Sequence, residues 1–360
     1  MKRSVFRLAC VFLLLVTLFT GCNPTPPLTS PTYHPADELP EDSSFAVHFI
    51  DVGQADAALV LCDGAAMLID GGNVADSDIL YTYLKKHNVK NLAFVVGTHA
   101  HEDHIGGLAG ALEYANAAMV LCPVTEYDST AFKNFSKAAK EACGSIQVPQ
   151  AGDTFTLGSA QGTILAVNTE EDTNNTSIVL RLVYGETSFL FAADAETAVE
   201  QAILNKGLEI RSTVLKVGHH GSDSSTGYQW LRQIAPQYAV ISVGKDNTYG
   251  HPTETVLSRL RDADVTTYRT DLQGDIICTS DGKTVSFTVS RNESSDPFAG
   301  IGPNSTQPAK QYILNTNSKK FHLPGCSGAA NISAANREEY QGSRQDLLEE
   351  GYSPCGICDP

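Results

Sequence analysis

Positive charge is scarce in this chain. Its 360 residues carry 25 Lys and Arg against 41 Asp and Glu, a formal net charge of −16. An excess of that size works against phosphate binding by the surface as a whole. It leaves open a local site where metal ions supply the positive charge. Long apolar runs are also lacking. The most apolar stretch, residues 8–19, falls short of the ~20 positions a spanning helix needs, which excludes a multi-span membrane protein. Internal repeats are absent, which excludes a repeat array. A disulfide framework is missing too. Of nine cysteines, Cys62, Cys122, Cys143 and Cys278 are scattered in apolar or strand-like contexts. Outside the cell they are free to pair, but their spacing favours buried free thiols. What is present is globular: 42% hydrophobic, 18% charged and 8% aromatic, neither disordered nor collagenous. The length suits one large domain plus a small one, or two domains, with enough chain for a full core.

Met1, Lys2, Arg3 and Arg7 precede the apolar run, which ends at Thr20-Gly21-Cys22. This is the pattern of a signal peptide over residues 1–22. Small residues before a cysteine resemble the bacterial lipobox, in which Cys22 is lipidated and becomes the new N-terminus. Phe19 stands where that pattern usually has Leu, so ordinary cleavage and an uncleaved anchor stay open. All three place the remainder on the extracellular face of the membrane or secrete it. Residues 23–44, rich in Pro, Thr and Ser, read as a flexible tether.

From 45 to about 290 the chain alternates β-rich runs with helical patterns. Residues 45–51, 57–61, 66–70, 92–96, 163–167, 177–183, 188–192, 214–217 and 238–243 read as strands. Residues 76–87, 196–204, 253–261 and a stretch from about 106 read as helices. This order, with hairpins, predicts a layered α/β architecture. Residues 291–310 read as a linker, and 311–360 as a small closing module.

The strand at 92–96 runs into His99-Ala100-His101-Glu102-Asp103-His104. Three of the chain's ten histidines fall in this hexapeptide. His99 and His101 are able to face one point, and Asp103 and His104 a second. These ligand types suit zinc, manganese or iron. The His-x-His-x-Asp-His pattern after a strand resembles the signature of the metallo-β-lactamase superfamily. Further segments narrow the likeness. His48-Phe49-Ile50-Asp51-Val52-Gly53-Gln54-Ala55-Asp56-Ala57, Leu68-Ile69-Asp70-Gly71-Gly72, Leu215-Lys216-Val217-Gly218-His219-His220-Gly221-Ser222 and Tyr249-Gly250-His251-Pro252 resemble the hydrolase domain of ComEC-type DNA-uptake proteins, in family order. The resemblance covers about residues 45–290. It implies a four-layer αββα sandwich, a pair of divalent metals (zinc or manganese) and hydrolysis by a hydroxide shared between them. Ala55 and Ala193 stand where the family usually has Gly.

Asp194 ends the strand at 188–192. A carboxylate there is able to bridge two metals or to cap the following helix; the resemblance favours bridging. Adjacent side chains point apart, so one of His219 and His220 binds metal, with His220 favoured and His219 either supporting the ligands or facing substrate. His251 precedes Pro252 beside an expected helix N-terminus. It reads as a phosphoryl contact or proton donor, or else as a capping or core histidine. The catalytic set is thus Asp103, His251 and His219, and the metal set His99, His101, Asp103, His104, Asp194 and His220. No histidine occurs between His104 and His219, where many superfamily members place a ligand; Asn174-Asn175-Thr176-Ser177 stands there. That argues against β-lactam hydrolysis.

His322-Leu323-Pro324-Gly325-Cys326 and Cys355-Gly356-Ile357-Cys358 supply four ligands, the number a closed structural zinc needs. A metal staple suits a module this small. A Cys355–Cys358 disulfide is the alternative. The module resembles the Ada metal-binding domain. Its Lys319, Lys320, Arg337 and Arg344 are offset by Glu338, Glu339, Asp346, Glu349 and Glu350. The function expected from all this is a metal-dependent phosphodiesterase or nuclease, lipid-anchored and acting on extracellular DNA, with no defined protein partner. The alternatives are an envelope phosphoester hydrolase, a lactonase, or a non-catalytic binder of DNA or an envelope ligand.

Overall fold

The computed structural model describes residues 44–169, 173–299, 310–342 and 350–358, with Arg344 and Leu347 between the last two segments. The expected signal peptide, Cys22 and the tether up to residue 43 lie outside the described residues, as do residues 300–309 of the expected linker. No helix among the described residues is long and apolar enough to cross a membrane.

The first half starts as a meander of β1 (Phe45–Phe49), β2 (Ala58–Cys62) and β3 (Ala65–Ile69). It continues through α1 (Ser77–Lys86), β4 (Phe94–Val96), α2 (Glu102–Ile105), α3 (Leu108–Tyr114), β5 (Val120–Leu121), α4 (Thr130–Cys143) and β6 (Ile146–Gln147). The second half opens with β7 (Thr154–Leu157), β8 (Ala160–Ala166), β9 (Val179–Tyr184) and β10 (Thr187–Phe191). Then come α5 (Thr197–Asn205), β11 (Val214–Lys216), α6 (Tyr228–Ile234), β12 (Tyr238–Ile241), α7 (Glu254–Asp262) and β13 (Thr266–Arg269). Two last strands, β14 (Ile276–Ser280) and β15 (Val285–Val289), return to the first sheet. The first sheet has the order β15-β14-β1-β2-β3-β4-β5-β6, the second β13-β12-β11-β10-β9-β8-β7.

Side chains alternate across each strand, and the sequence sorts them into three cores. Val47, Phe49, Val60, Met67 and Ile69 of the first sheet meet Leu180, Leu182, Phe189, Phe191 and Val214 of the second. The opposite face of the first sheet, with Leu59, Leu68 and Val95, buries Leu80, Leu84, Leu108, Phe132 and Phe135 of the helices. The opposite face of the second, with Leu190, Leu215, Ala239 and Ile241, buries Ile203, Trp230, Leu231 and Leu257. Full burial of each such side chain contributes about 1.5–3 kcal/mol. The result is the expected αββα sandwich.

At Asp194 the helix-cap alternative falls, and at Pro252 the expected helix start holds. Asp194 does not cap a helix: α5 begins at Thr197 with Glu196 at its cap. Pro252 precedes the cap of α7, where Thr253 accepts a hydrogen bond from the Val256 N–H. The closing module forms its own sheet from β16 (Lys310–Asn315), β17 (Lys320–His322), β18 (Arg337–Gly342) and β19 (Ser353–Pro354), in the order β18-β16-β17-β19. Its small core holds Tyr312, Leu314, Phe321, Leu347 and Tyr352. Arg344 ties it to Asp262 at the end of α7.

One buried ion pair joins the sheets. Lys216, the last residue of β11, places Nζ 2.8 Å from Asp56 Oδ2, in the loop between β1 and β2. Both residues are buried. Lys216→Met leaves that carboxylate with only the neighbouring His220, 3.2 Å away, to answer it. It is expected to cost about 3–5 kcal/mol in urea unfolding of the metal-free chain, and adding Asp56→Asn should recover more than half. A cost below about 1 kcal/mol would show that the pair does not hold the seam.

Candidate active site

Six loops leave the C-terminal ends of strands from both sheets and converge. They carry Asp56 after β1, Asp70 after β3, residues 98–104 after β4, Asp194 after β10, His219 and His220 after β11, and His251 after β12. The turns are sharp: Asp70, Ala193, His219 and His220 all have φ between 48° and 58°. Ala193 therefore sits in the left-handed region that Gly enters freely. Its methyl is accommodated at a strain of about 1–2 kcal/mol. Strain of this kind gathers at functional sites.

Each central histidine is aimed by a partner on its far nitrogen. His104 Nδ1 lies 2.8 Å from Asp70 Oδ2. Asp70 is itself fixed by the Thr98 N–H and hydroxyl, each at 2.8 Å. His220 Nδ1 donates to the Ser242 carbonyl at 3.0 Å and lies 3.2 Å from Asp56 Oδ1. Both rings thus turn Nε2 inward. His104 Nε2 is 3.3 Å from Asp194 Oδ1, and His220 Nε2 is 3.3 Å from Asp103 Oδ2. Those two Nε2 atoms and Asp194 Oδ1 are buried and make no hydrogen bond. Buried polar atoms left so are rare and need a reason. Here the reason is a cation: ligand atoms of Asp103, His104, Asp194 and His220 all lie within 4.8 Å of one another.

His99 and His101 form the adjoining pair. His99 Nε2 is 3.1 Å from His101 Nδ1 and 3.9 Å from Asp194 Oδ2. Two ring nitrogens that close suit neighbouring ligands of one tetrahedral metal. Asp194 lies between the two groups, and its Oδ2 is also 3.6 Å from His219 Nε2. His219 is partly exposed, with Nδ1 held 3.1 Å from the Ser224 hydroxyl. His251 lies edge-on to His219 at 5.7 Å, and its Nδ1 is buried without a hydrogen bond. His101, Asp103, Asp194, His219, His220 and His251 all line one open cavity of about 310 Å³. All the expected site residues of the large domain meet here.

Residues without an expected role stand here too: Asp56, Asp70, Thr98, Lys216 and Ser242 sit behind the ligands, and Gln54, Glu102 and Tyr249 line the cavity. Asp56, Asp70 and Lys216 stand inside the motifs, and their types alone do not distinguish aiming from ligation. The segment that replaces the missing histidine acts as a brace. The Ser177 hydroxyl accepts from Asp194 N–H at 3.2 Å, and Asn175 bonds both the backbone and the carboxylate of Glu196.

Electrostatics follow from burial and proximity. Burial opposes ionisation of Asp194, but His104 and His220 outweigh it and hold the carboxyl well below its usual range. Asp103 is likewise held at about 2, mainly by His104 and His220 against burial. Burial disfavours charge on His220, yet Asp194 and Asp56 raise it to about 10. His104 is raised well above its ordinary value by Asp194 and Asp70. Burial and the neighbouring His104 push His99 well down. Without metal, protons on His104 and His220 therefore neutralise the carboxylates.

In the closing module, ligand atoms of His322, Cys326, Cys355 and Cys358 also lie within 4.8 Å of one another. Cys326 Sγ and Cys355 Sγ are 4.0 Å apart, close to the edge of about 3.8 Å that Zn–S bonds of ~2.3 Å give a tetrahedron. His322 Nδ1 is buried with no hydrogen bond. Burial opposes ionisation of Cys326, but hydrogen bonds from Cys358 and the Ala329 N–H lower its thiol below the ordinary value. All cysteines among the described residues are free, the four scattered ones included. This cluster fits a structural zinc.

Residues 50–245 match the Metallo-beta-lactamase superfamily. The chain belongs to that superfamily. Its hydrolase domain is similar to ComEC-type proteins. It is 30% identical over 64% of its length to ComE operon protein 3 of Bacillus subtilis, and 31% identical over 68% to competence protein ComA of Neisseria gonorrhoeae. It is 31% identical over 60% to recombination protein 2 of Haemophilus influenzae. The chain spans about a third or less of these relatives: 32%, 33% and 26% of their lengths.

Two outcomes are expected. Metal must displace the protons on His104 and His220, so affinity rises with pH and binding releases protons. At pH 8, between the ordinary imidazole value and the value of about 10 for His220, zinc titration calorimetry in two buffers of different ionisation enthalpy should show at least one proton released per chain. Zero release would contradict the assignment. In the module, Cys355→Ser should remove one equivalent of zinc by elemental analysis and leave the hydrolase-site metal in place; unchanged zinc content would exclude the tetrahedral site.

Proposed function

We propose that this chain is an exported, lipid-anchored phosphodiesterase that acts on DNA outside the cell. The observation that carries the catalytic part is the convergence of inward-facing His104, His220 and Asp194 atoms, without hydrogen bonds, beside an open cavity. Divalent metals held there, zinc or manganese, supply a nucleophile at neutral pH and Lewis-acid charge. The chain's own residues do the rest. Asp103, ionised above about pH 2, accepts a hydrogen bond from the attacking water and orients it. Asp70 and Asp56 keep the two imidazoles aimed. His219 and His251, on the same cavity, contact the phosphoryl oxygens and assist the leaving oxygen.

Three features support the substrate and setting. The names of two of the relatives refer to competence and recombination, processes that handle DNA. The acidic chain, at −16, favours a strand end or small diester over a long duplex groove. A cavity of about 310 Å³ sits at the small end of ligand sites and admits one nucleotide unit, not a helix. The basic, apolar, Cys22-ending N-terminus supports export and anchoring. The zinc module stabilises its own fold.

The test is cleavage of single-stranded DNA, plasmid and a generic phosphodiester by protein loaded with zinc or manganese. Asp103→Asn is expected to lower kcat by roughly 10²-fold or more. Cleavage of the small diester alone would move the substrate to envelope phosphoesters. No cleavage with metals bound would overturn the phosphodiesterase assignment.

A further inference from the structure

Tyr249 stands out at the mouth of the same cavity. It is 71% exposed, more than any other large apolar side chain among the described residues, and it lines the cavity with Asp103, Asp194 and His219. Single exposed apolar residues are ordinary. This one differs in how it is held. Its ring stacks on His251 at 5.8 Å with 25° between planes, and His251 meets His219 edge-on at 5.7 Å. His219 Nε2 is 3.6 Å from Asp194 Oδ2. Three rings thus run as a ladder from the buried carboxylate to solvent.

The turn that presents the ring is fixed. Asn247 Oδ1 accepts from the N–H groups of Tyr249 and His251, each at 3.1 Å. Its Nδ2 donates to the carbonyls of Gly244 at 2.9 Å and His251 at 2.6 Å. Every hydrogen-bonding group of that amide is used. Gly250 takes the left-handed φ of 72° that the turn requires and that Gly enters without strain. Binding against Tyr249 therefore needs little ordering of the loop.

We propose that Tyr249 is the stacking platform for the nucleobase next to the scissile phosphodiester, a proposal that rests on the phosphodiesterase reading. A phosphoryl group beside Asp194 and His219 leaves its nucleoside to pass along the ladder, and the outermost ring offers an uncovered face. Every base has a π-face, so such a platform favours nucleotide over alkyl or abasic diesters without selecting a sequence. Base–aromatic stacking corresponds to roughly 5- to 150-fold in binding.

The experiment uses the manganese-loaded full chain and two substrates, a thymidine dinucleotide and the same diester with one base deleted. The native chain should prefer the dinucleotide in kcat/KM. That preference should fall about 10-fold in Tyr249→Ala, mainly through KM, and persist in Tyr249→Trp. In parallel, the metal-loaded Asp103→Asn protein should quench a dinucleotide containing 2-aminopurine, and the added Tyr249→Ala should abolish the quench. Cleavage with a preference unaltered by Tyr249→Ala overturns the platform and leaves the hydrolase standing. Quenching that depends on Tyr249 without any cleavage keeps the platform and overturns the hydrolase. Neither cleavage nor quenching overturns both.

Discussion

Buried negative charge is the constraint around which this molecule is arranged. Asp56, Asp70 and Asp194 are almost fully buried where the two sheets meet, and Asp103 stands at their edge. Carboxylates this close and this dry repel one another and resist burial unless cations answer them. The fold supplies one permanent cation, Lys216, and spends it on Asp56. The remaining charge is met by His104 and His220, whose protons stand where divalent metal fits. Backbone hydrogen bonds lash the charged loops together: Asp56 N to Asp103 O, Gly71 N to His104 O, Gly72 N to Asp56 O and His219 N to Ala193 O. The site is therefore rigid before any metal arrives, as preorganised electrostatics requires.

Much of this is legible in the sequence because the signals are local. Strand alternation at 45–49, 65–69 and 187–191 separates inward Phe and Met from outward Leu, which yields the layers. The hexapeptide from His99 to His104 concentrates ligands within a span that one loop presents together. Asp194 and His220 each follow a short apolar strand, and strand ends are where sheets of this kind place their sites. The choice between His219 and His220 is not local: neighbours that point apart leave only one to ligate, and the Ser242 carbonyl, 22 residues further on, aims His220. His220 turns Nε2 into the ligand group, and His219 faces the cavity.

The remainder is set by distance along the chain. Lys216 and Asp56 are 160 positions apart, and nothing in either segment says that the other is its partner. Asp194 precedes a helix by three residues, which locally suits a cap. The turn at Ala193 instead carries the carboxylate inward, and Glu196 takes the cap position. The helix α4 is a different case. It falls outside the expected helices although its signals are local: Ser129 caps it, and Phe132, Phe135 and Ala139 recur at helical spacing with Lys and Glu on the other face. Strands of two residues such as Val120–Leu121 and Ile146–Gln147 carry no period of their own; the neighbouring strand defines them.

On the phosphodiesterase reading proposed above, charge also explains how acidity and phosphodiester chemistry coexist. A chain of −16 keeps polyanions off most of its surface, and screening confines that repulsion to about 8–10 Å at ordinary salt. Divalent metals held by Asp103, His104, Asp194 and His220 would reverse the sign locally, beside a cavity of about 310 Å³. On that reading an extended strand end meets net repulsion from the chain and attraction where the metals would be held. Specificity for ends or single units would then arise from the field and the shape together, with no sequence-reading surface required. On that arrangement the affinity available to a nucleotide has to come from the metals and from uncharged contacts at the cavity mouth. A rigid exposed tyrosine stacked on His251 is such a contact: it adds base affinity without adding positive charge.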